Sequence, residues 1–278
     1  MDIIGLGKAG CAIAKTFEAY PQYERIYKID NDLSGDKCLS IAKKMTAEEY
    51  ENNIPYVRDF FQELGDEVIF IMAGSGLISS LCLGILEQIK NKKITILYIV
   101  PSNQSLMGQK KLLDKIAFGV LQEYTRSGLF ESMYIIDNQS VINHIGNLSV
   151  IGYWNRVNEL ISSTMHFINV FSHTTPVYET ECETNVTNRI KTIGILNPDT
   201  SEEKMFYPLQ LTREKNYFYA FRNDLLVTES NIIKKIEDKL ETKKEKWLTS
   251  LSYRLYASSY EYDLGYCVFS TSKVQDYK

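Results

Sequence analysis

The chain has 278 residues, 44% of them apolar, 24% charged and 12% aromatic, an ordinary globular composition long enough for one large domain or two modest ones. Thirty-one Lys and Arg against 35 Asp and Glu leave a formal charge of −4, and no long block of either sign marks a nucleic-acid or membrane-surface partner. The five cysteines form no Cys-x-x-Cys pair and there are only three histidines, so reduced thiols and no metal centre are expected. No apolar run approaches the roughly 18 residues of a spanning helix. The strand-like Ile3-Ile4-Gly5 follows Met1 with no signal-peptide pattern, so a cytoplasmic protein is expected.

In chain order, short apolar runs alternate with longer amphipathic stretches, the pattern of a parallel sheet flanked by helices. Residues 2–5 read as a strand, 9–19 as a helix, and 26–29 as a second strand ending at Asp30-Asn31-Asp32. Residues 68–72 form a third strand, followed by the turn Ala73-Gly74-Ser75-Gly76 and a helix to about Ile89. A fourth strand spans 94–100 and stops at Pro101, a helix follows over about 112–124, and 133–136 gives a fifth strand. This predicts an α/β fold whose Rossmann-like, doubly wound domain covers 1–147. A long, charge-poor central helix is predicted over 148–172, and a smaller C-terminal α+β domain over 173–278. In that last part, 191–196 and 217–222 read as strands and 232–240 as an amphipathic helix. Segments 252–260 and 265–270 alternate aromatic residues around Tyr262-Asp263 and read as an antiparallel pair.

Gly5-Leu6-Gly7-Lys8-Ala9-Gly10 lies between a strand and a helix. There glycines let a phosphate approach the backbone, and the helix N-terminus offers unpaired N–H groups with partial positive charge. A nucleotide site is expected, with Ala73–Gly76 as a second cradle. Two ligands fit this much: a nicotinamide dinucleotide with Asp30 on its ribose, in an NAD(P)-binding oxidoreductase, or a mononucleotide. No Gly-x-Ser-x-Gly elbow supports a hydrolase triad. Trp154 reads as a packing residue and His166 as a satisfied core residue.

Further features are Pro101-Ser102-Asn103 and Gly108-Gln109-Lys110-Lys111 after the fourth strand, Ile135-Ile136-Asp137-Asn138 at the end of the fifth, and Val150-Ile151-Gly152-Tyr153-Trp154-Asn155 opening the long helix. In that order the chain resembles the tubulin/FtsZ superfamily of nucleotide-dependent filament proteins, in the style of its phage and plasmid members. The family's Gly-Gly-Gly-Thr-Gly-Ser/Thr-Gly loop stands here as Gly74-Ser75-Gly76-Leu77-Ile78-Ser79-Ser80, with the later glycines gone. The resemblance implies GTP or GDP as ligand and leaves Mg2+ open as a companion ion. It implies a nucleotide site of Gly5, Gly7, Lys8, Ala9, Gly10, Cys11, Asp30, Asn31, Gly74, Ser75, Gly76 and Lys111, with Ile151 over the base face and Asn155 on the guanine edge. It also implies self-association head to tail into a filament. Hydrolysis would then occur at the subunit interface, where Glu179 and Glu181, just past the central helix, are the candidate catalytic carboxylates. A scaffold filament without GTPase activity is the third reading.

Overall fold

The computed structural model describes residues 1–101, 107–146, 149, 151–180, 185–243 and 249–277. Six strands, β1 (Asp2–Leu6), β2 (Ile26–Asp30), β3 (Cys38–Ser40), β4 (Glu67–Met72), β5 (Lys93–Val100) and β6 (Ser132–Asp137), lie parallel in the order β3-β2-β1-β4-β5-β6. The near-continuous apolar runs of β1, β4, β5 and β6 have a direct cause: both faces of the parallel sheet are covered there, so alternate residues enter different cores. In β4, Val68, Phe70 and Met72 join one buried cluster while Ile69 and Ile71 join the cluster on the opposite face. Helices α1 (Gly7–Thr16), α5 (Asn138–Ile145) and α6 (Tyr153–Ser172) pack on the second face. Helices α2 (Ala47–Glu51), α3 (Cys82–Gln88) and α4 (Gln109–Arg126) cover the first.

The sheet continues past α6. Strand β8 (Ile190–Leu196) joins β6 in parallel through Met133 opposite Ile190 and Tyr134 opposite Lys191. Beyond it the order is β12 (Leu264–Thr271), β10 (Glu214–Arg222), β11 (Ser250–Ser258) and the edge strand β7 (Tyr178–Glu179), while β9 (Glu203–Met205) pairs with β8 off this path. In β10, Phe218 and Ala220 face α6, whereas Tyr217, Tyr219 and Phe221 face Ile232, Ile236 and Leu240 of α8 (Ile232–Glu241). Helix α6 spans both halves of this core. Its Val157 and Ile161 lie against the first half, and Phe171 stacks on Phe218 and Tyr256 of the second, with ring centroids 6.1 and 4.6 Å away.

Three elements differ from the sequence reading. Segments 252–260 and 265–270 are not an antiparallel pair: β10 lies between them, parallel to β11 and antiparallel to β12. The helical connection after β10, α7 (Asn223–Thr228) with α8, makes a crossover unit that returns β11 parallel. The chain then passes the end of β10, where Asp263 accepts the Arg222 N–H at 3.0 Å. The alternating pattern of each strand is real, but alternation reports faces and not neighbours. Second, the central helix starts at Tyr153, because Gly152 at φ 80° is its left-handed N-cap; the separate helix α5 precedes it, and Leu148 and Val150 lie outside the described residues. Third, 33–65 contains β3 and α2, whose few residues are too short for a periodic signal. Among the described residues no helix is long and apolar enough to cross a membrane.

Candidate nucleotide-binding site

Strand order reverses between β1 and β4. The connections leaving those two strands at their carboxyl ends run in opposite directions and open a crevice between them. Both glycine turns lie there. β1 passes straight into α1, with Leu6 as an extended N-cap and no side chain capping the helix, so its first N–H groups are left for a ligand. Gly7 has φ +70°, a region that favours glycine. Gly5 and Gly10 serve packing: a Cβ on Gly5 would lie 2.5 Å from the Gly10 carbonyl oxygen, and one on Gly10 would strike the Ile71 carbonyl of β4. The second turn, 73–76, is held by the buried Ser79 hydroxyl, which lies 2.7 Å from the Gly74 carbonyl oxygen and 2.5 Å from that of Gly76.

The two turns border a cleft of about 400 Å³. Gly7, Lys8 and Ala9 line one side, Ser75 and Gly76 another, and Trp154 and Asn158 of α6 a third. Asn138, at the start of α5, also reaches it. Among the described residues Lys8 is its one charged lining residue, and no carboxylate or imidazole faces it. An open helix N-terminus, a lysine and neutral amides suit an anion with a planar group attached. Among the described residues the lining offers a divalent cation no carboxylate, only neutral oxygens such as the Ser75 hydroxyl and the Asn138 and Asn158 amide carbonyls, so the residues present do not fit an Mg2+ held by protein carboxylates.

The structure brings together only part of the expected set. Gly7, Lys8, Ala9, Ser75 and Gly76 line the cleft; Gly5, Gly10 and Gly74 stand behind it as close-packed backbone. Cys11 is buried, its thiol 3.3 Å from the Gly5 carbonyl oxygen and 3.5 Å from that of Ile29. Burial first, and then the Asp30 charge, push that thiol up to about 12, so it is inert. Asp30 accepts the Asn31 N–H at 2.8 Å, and the Asn31 amide donates to the Ile41 carbonyl at 2.7 Å and meets the Tyr50 hydroxyl at 3.1 Å. Neither lines the cleft. Lys111 is exposed on α4. Ile151, 93% exposed, and Asn155 border a separate, more open depression with Arg156 and Glu159. Glu179 is ion-paired to Arg254 at 3.1 Å on β7, the edge of the sheet opposite to β3. Glu181 lies outside the described residues.

Trp154 corrects the sequence reading, because it is 55% exposed and stands over the cleft rather than packing in the core. The sequence did carry the signal for it and for Asn158: an aromatic and an amide four residues apart share one helix face, whereas Asn155 is rotated away from that face. His166 is in the core as expected, 7% exposed and stacked on Tyr20 at 3.9 Å between centroids, but it is not satisfied: its buried Nδ1 has no hydrogen-bond partner among the described residues, and burial lowers its pKa.

No protein-family model and no curated sequence matches the chain. Solved structures do. The chain has the fold of the tubulin/FtsZ superfamily, aligned over nearly its whole length. It superposes on TubZ of Bacillus thuringiensis serovar israelensis, in a crystal structure of GDP-form protofilaments, with a TM-score of 0.72 and 15% identity over 99% of this chain and 88% of that one. The match to an empty FtsZ dimer from M. jannaschii has a TM-score of 0.68 and 9% identity, over 98% and 88% of the two chains. The match to the GDP-bound monomer of CetZ1 from Haloferax volcanii has a TM-score of 0.63 and 12% identity, over 98% and 94%.

Proposed function

We propose that this protein binds a guanine nucleotide in the cleft between the two glycine turns and α6, and assembles head to tail into filaments. The observation that carries this reading is the meeting of three parts in one cleft: an uncapped α1 N-terminus behind Gly7, a second turn at Ser75-Gly76, and an aromatic with an amide, Trp154 and Asn158, on the facing helix. The phosphates lie on the α1 N–H groups and beside Lys8, the base stacks on Trp154, and Asn158 bonds the guanine edge. A dinucleotide is disfavoured because Asp30, its expected ribose partner, does not line the cleft. TubZ, of similar fold, has been solved as GDP- and GTPγS-form protofilaments and as a two-stranded filament, which supports self-association here. One heterologous interface suffices for an open polymer. Hydrolysis, where it occurs, is assigned to the subunit interface, with Glu179 and Glu181 as candidate carboxylates; Glu179 must exchange Arg254 for a water to act.

The test is thermal. At GDP or GTP about 100-fold above the dissociation constant, unfolding should be opposed by roughly 2.7 kcal/mol, with NAD and ATP giving much less. Equal stabilisation by NAD overturns the guanine reading and favours the oxidoreductase. Pelletable polymer should appear with rising protein concentration, and nucleotide turnover per molecule over the same range. Polymer without turnover means the scaffold reading.

A further inference from the structure

Residues 272–277 leave β12 and cross to α4 on the first face of the sheet. There the Gln275 N–H donates to Gln122 Oε1 at 2.7 Å, Gln122 Nε2 donates back to the Gln275 carbonyl at 3.2 Å, and the Gln210 N–H donates to Gln275 Oε1 at 2.8 Å. Gln122 and Gln275 are 0% and 2% exposed, so this is a fixed seat and not a loose end. Two residues further, the Tyr277 hydroxyl donates to Asp114 Oδ2 at 2.7 Å, and Tyr98 of β5 donates to Asp114 Oδ1 at 2.7 Å. Asp114 is fully buried, and its third partner is the Gly74 N–H. Gly74 packs so closely on this group that a Cβ there would lie 2.8 Å from Asp114 Oδ1 and strike the Tyr98 hydroxyl. Three donors, none of them a cation, thus converge on one buried carboxylate directly behind the second glycine turn. Burial raises the Asp114 pKa and the donors oppose that rise.

We propose that Asp114 and Tyr277 are positioning residues of the cleft: the segment after β12 braces the Gly74 amide from behind, so that Ser75 and Gly76 present one backbone conformation to the ligand. This rests on the nucleotide reading for its consequence and on the fold alone for the brace. It also supplies a reason why the turn can dispense with further glycines, since its shape is imposed by side chains beneath it.

The experiment compares Tyr277→Phe, Asp114→Asn and a control, Tyr253→Phe, in the full chain. The control removes a similar tyrosine–carboxylate bond, Tyr253 to Glu237 at 3.0 Å, in the other half of the molecule. Amide hydrogen exchange without ligand should accelerate about tenfold at residues 74–76 in Tyr277→Phe and more in Asp114→Asn, with no local change there in the control. The dissociation constant for GDP, measured well below the unfolding temperature, should rise about five- to tenfold in Tyr277→Phe and stay unchanged in Tyr253→Phe. Exchange that is unaltered at 74–76, or that rises across the whole chain as in a merely less stable protein, overturns the brace. Local acceleration in a wild-type background that binds no nucleotide upholds the brace and overturns the function assigned to the cleft.

Discussion

The two glycine turns sit side by side at the carboxyl ends of β1 and β4, yet they are built by different means. The turn at Gly5–Gly10 is made by backbone against backbone: no side chain caps α1, and there is no room for a Cβ at Gly5 or Gly10. The turn at 73–76 is made by side chains around the backbone: Ser79 ties its carbonyls together, and Asp114 lies under Gly74. At Gly74 a Cβ would strike the side chains of Tyr98 and Asp114, whereas at Gly76 it would meet only Ile78 Cγ2, at an ordinary 3.9 Å. Where backbone packs on backbone, as at Gly5 and Gly10, no Cβ is tolerated; where side chains support the turn, an open position such as Gly76 can accept one while its support remains.

The sharpest way to break the contrast is Gly10→Ala. In an exposed helix interior alanine is favoured over glycine by about 1 kcal/mol, but here the Cβ must displace the Ile71 carbonyl of a central strand. The variant should lose about 3 kcal/mol or more in denaturant unfolding. A variant as stable as the wild type would show that the two turns are not built differently.

Next in size is Gly7→Val, judged by ligand binding and not by folding. Its φ of +70° disfavours a β-branched residue, and the neighbouring Ile78 methyl lies 3.1 Å from the new Cβ. Affinity for GDP should fall at least about 100-fold in a chain that still unfolds cooperatively, because the phosphate seat on the α1 N–H groups is lost. Unchanged affinity would mean that the first turn is only a connection.

A smaller effect separates two faces of α6. Asn158→Ala should weaken GDP binding about tenfold and erase preference for guanine over adenine, since the base edge loses its partner. Asn155→Ala should leave both unchanged. Titration of the two variants with GDP and ADP decides which amide reads the base, and the reverse outcome would restore the sequence expectation for Asn155.

The smallest effect is expected at Gly76→Ala, where unfolding free energy should stay within about 0.5 kcal/mol of the wild type. A loss as large as that at Gly10 would erase the distinction between the turns.

The layered α/β core was legible in the order of the amino acids alone. In β1, β4, β5 and β6 alternate residues enter cores on opposite faces, and a fully covered strand announces itself as an apolar run whatever lies beside it. The two glycine turns were legible as well, because glycine after a strand and before a helix is a local requirement of backbone geometry. Which strands are neighbours in the second half was settled by the three-dimensional fold: β11 and β12 are consecutive and similarly patterned, but β10 separates them, and alternation carries no information about partners. That fold likewise decided which residues of α6 face the cleft. A helix turns 100° per residue, so the start of α6 at Gly152 fixes the phase that sets Trp154 and Asn158 toward Gly7 and turns Asn155 away. The brace of Tyr277 on Asp114 joins residues 163 positions apart, a contact that no local pattern encodes and that exists only once the sheet has brought its two halves together.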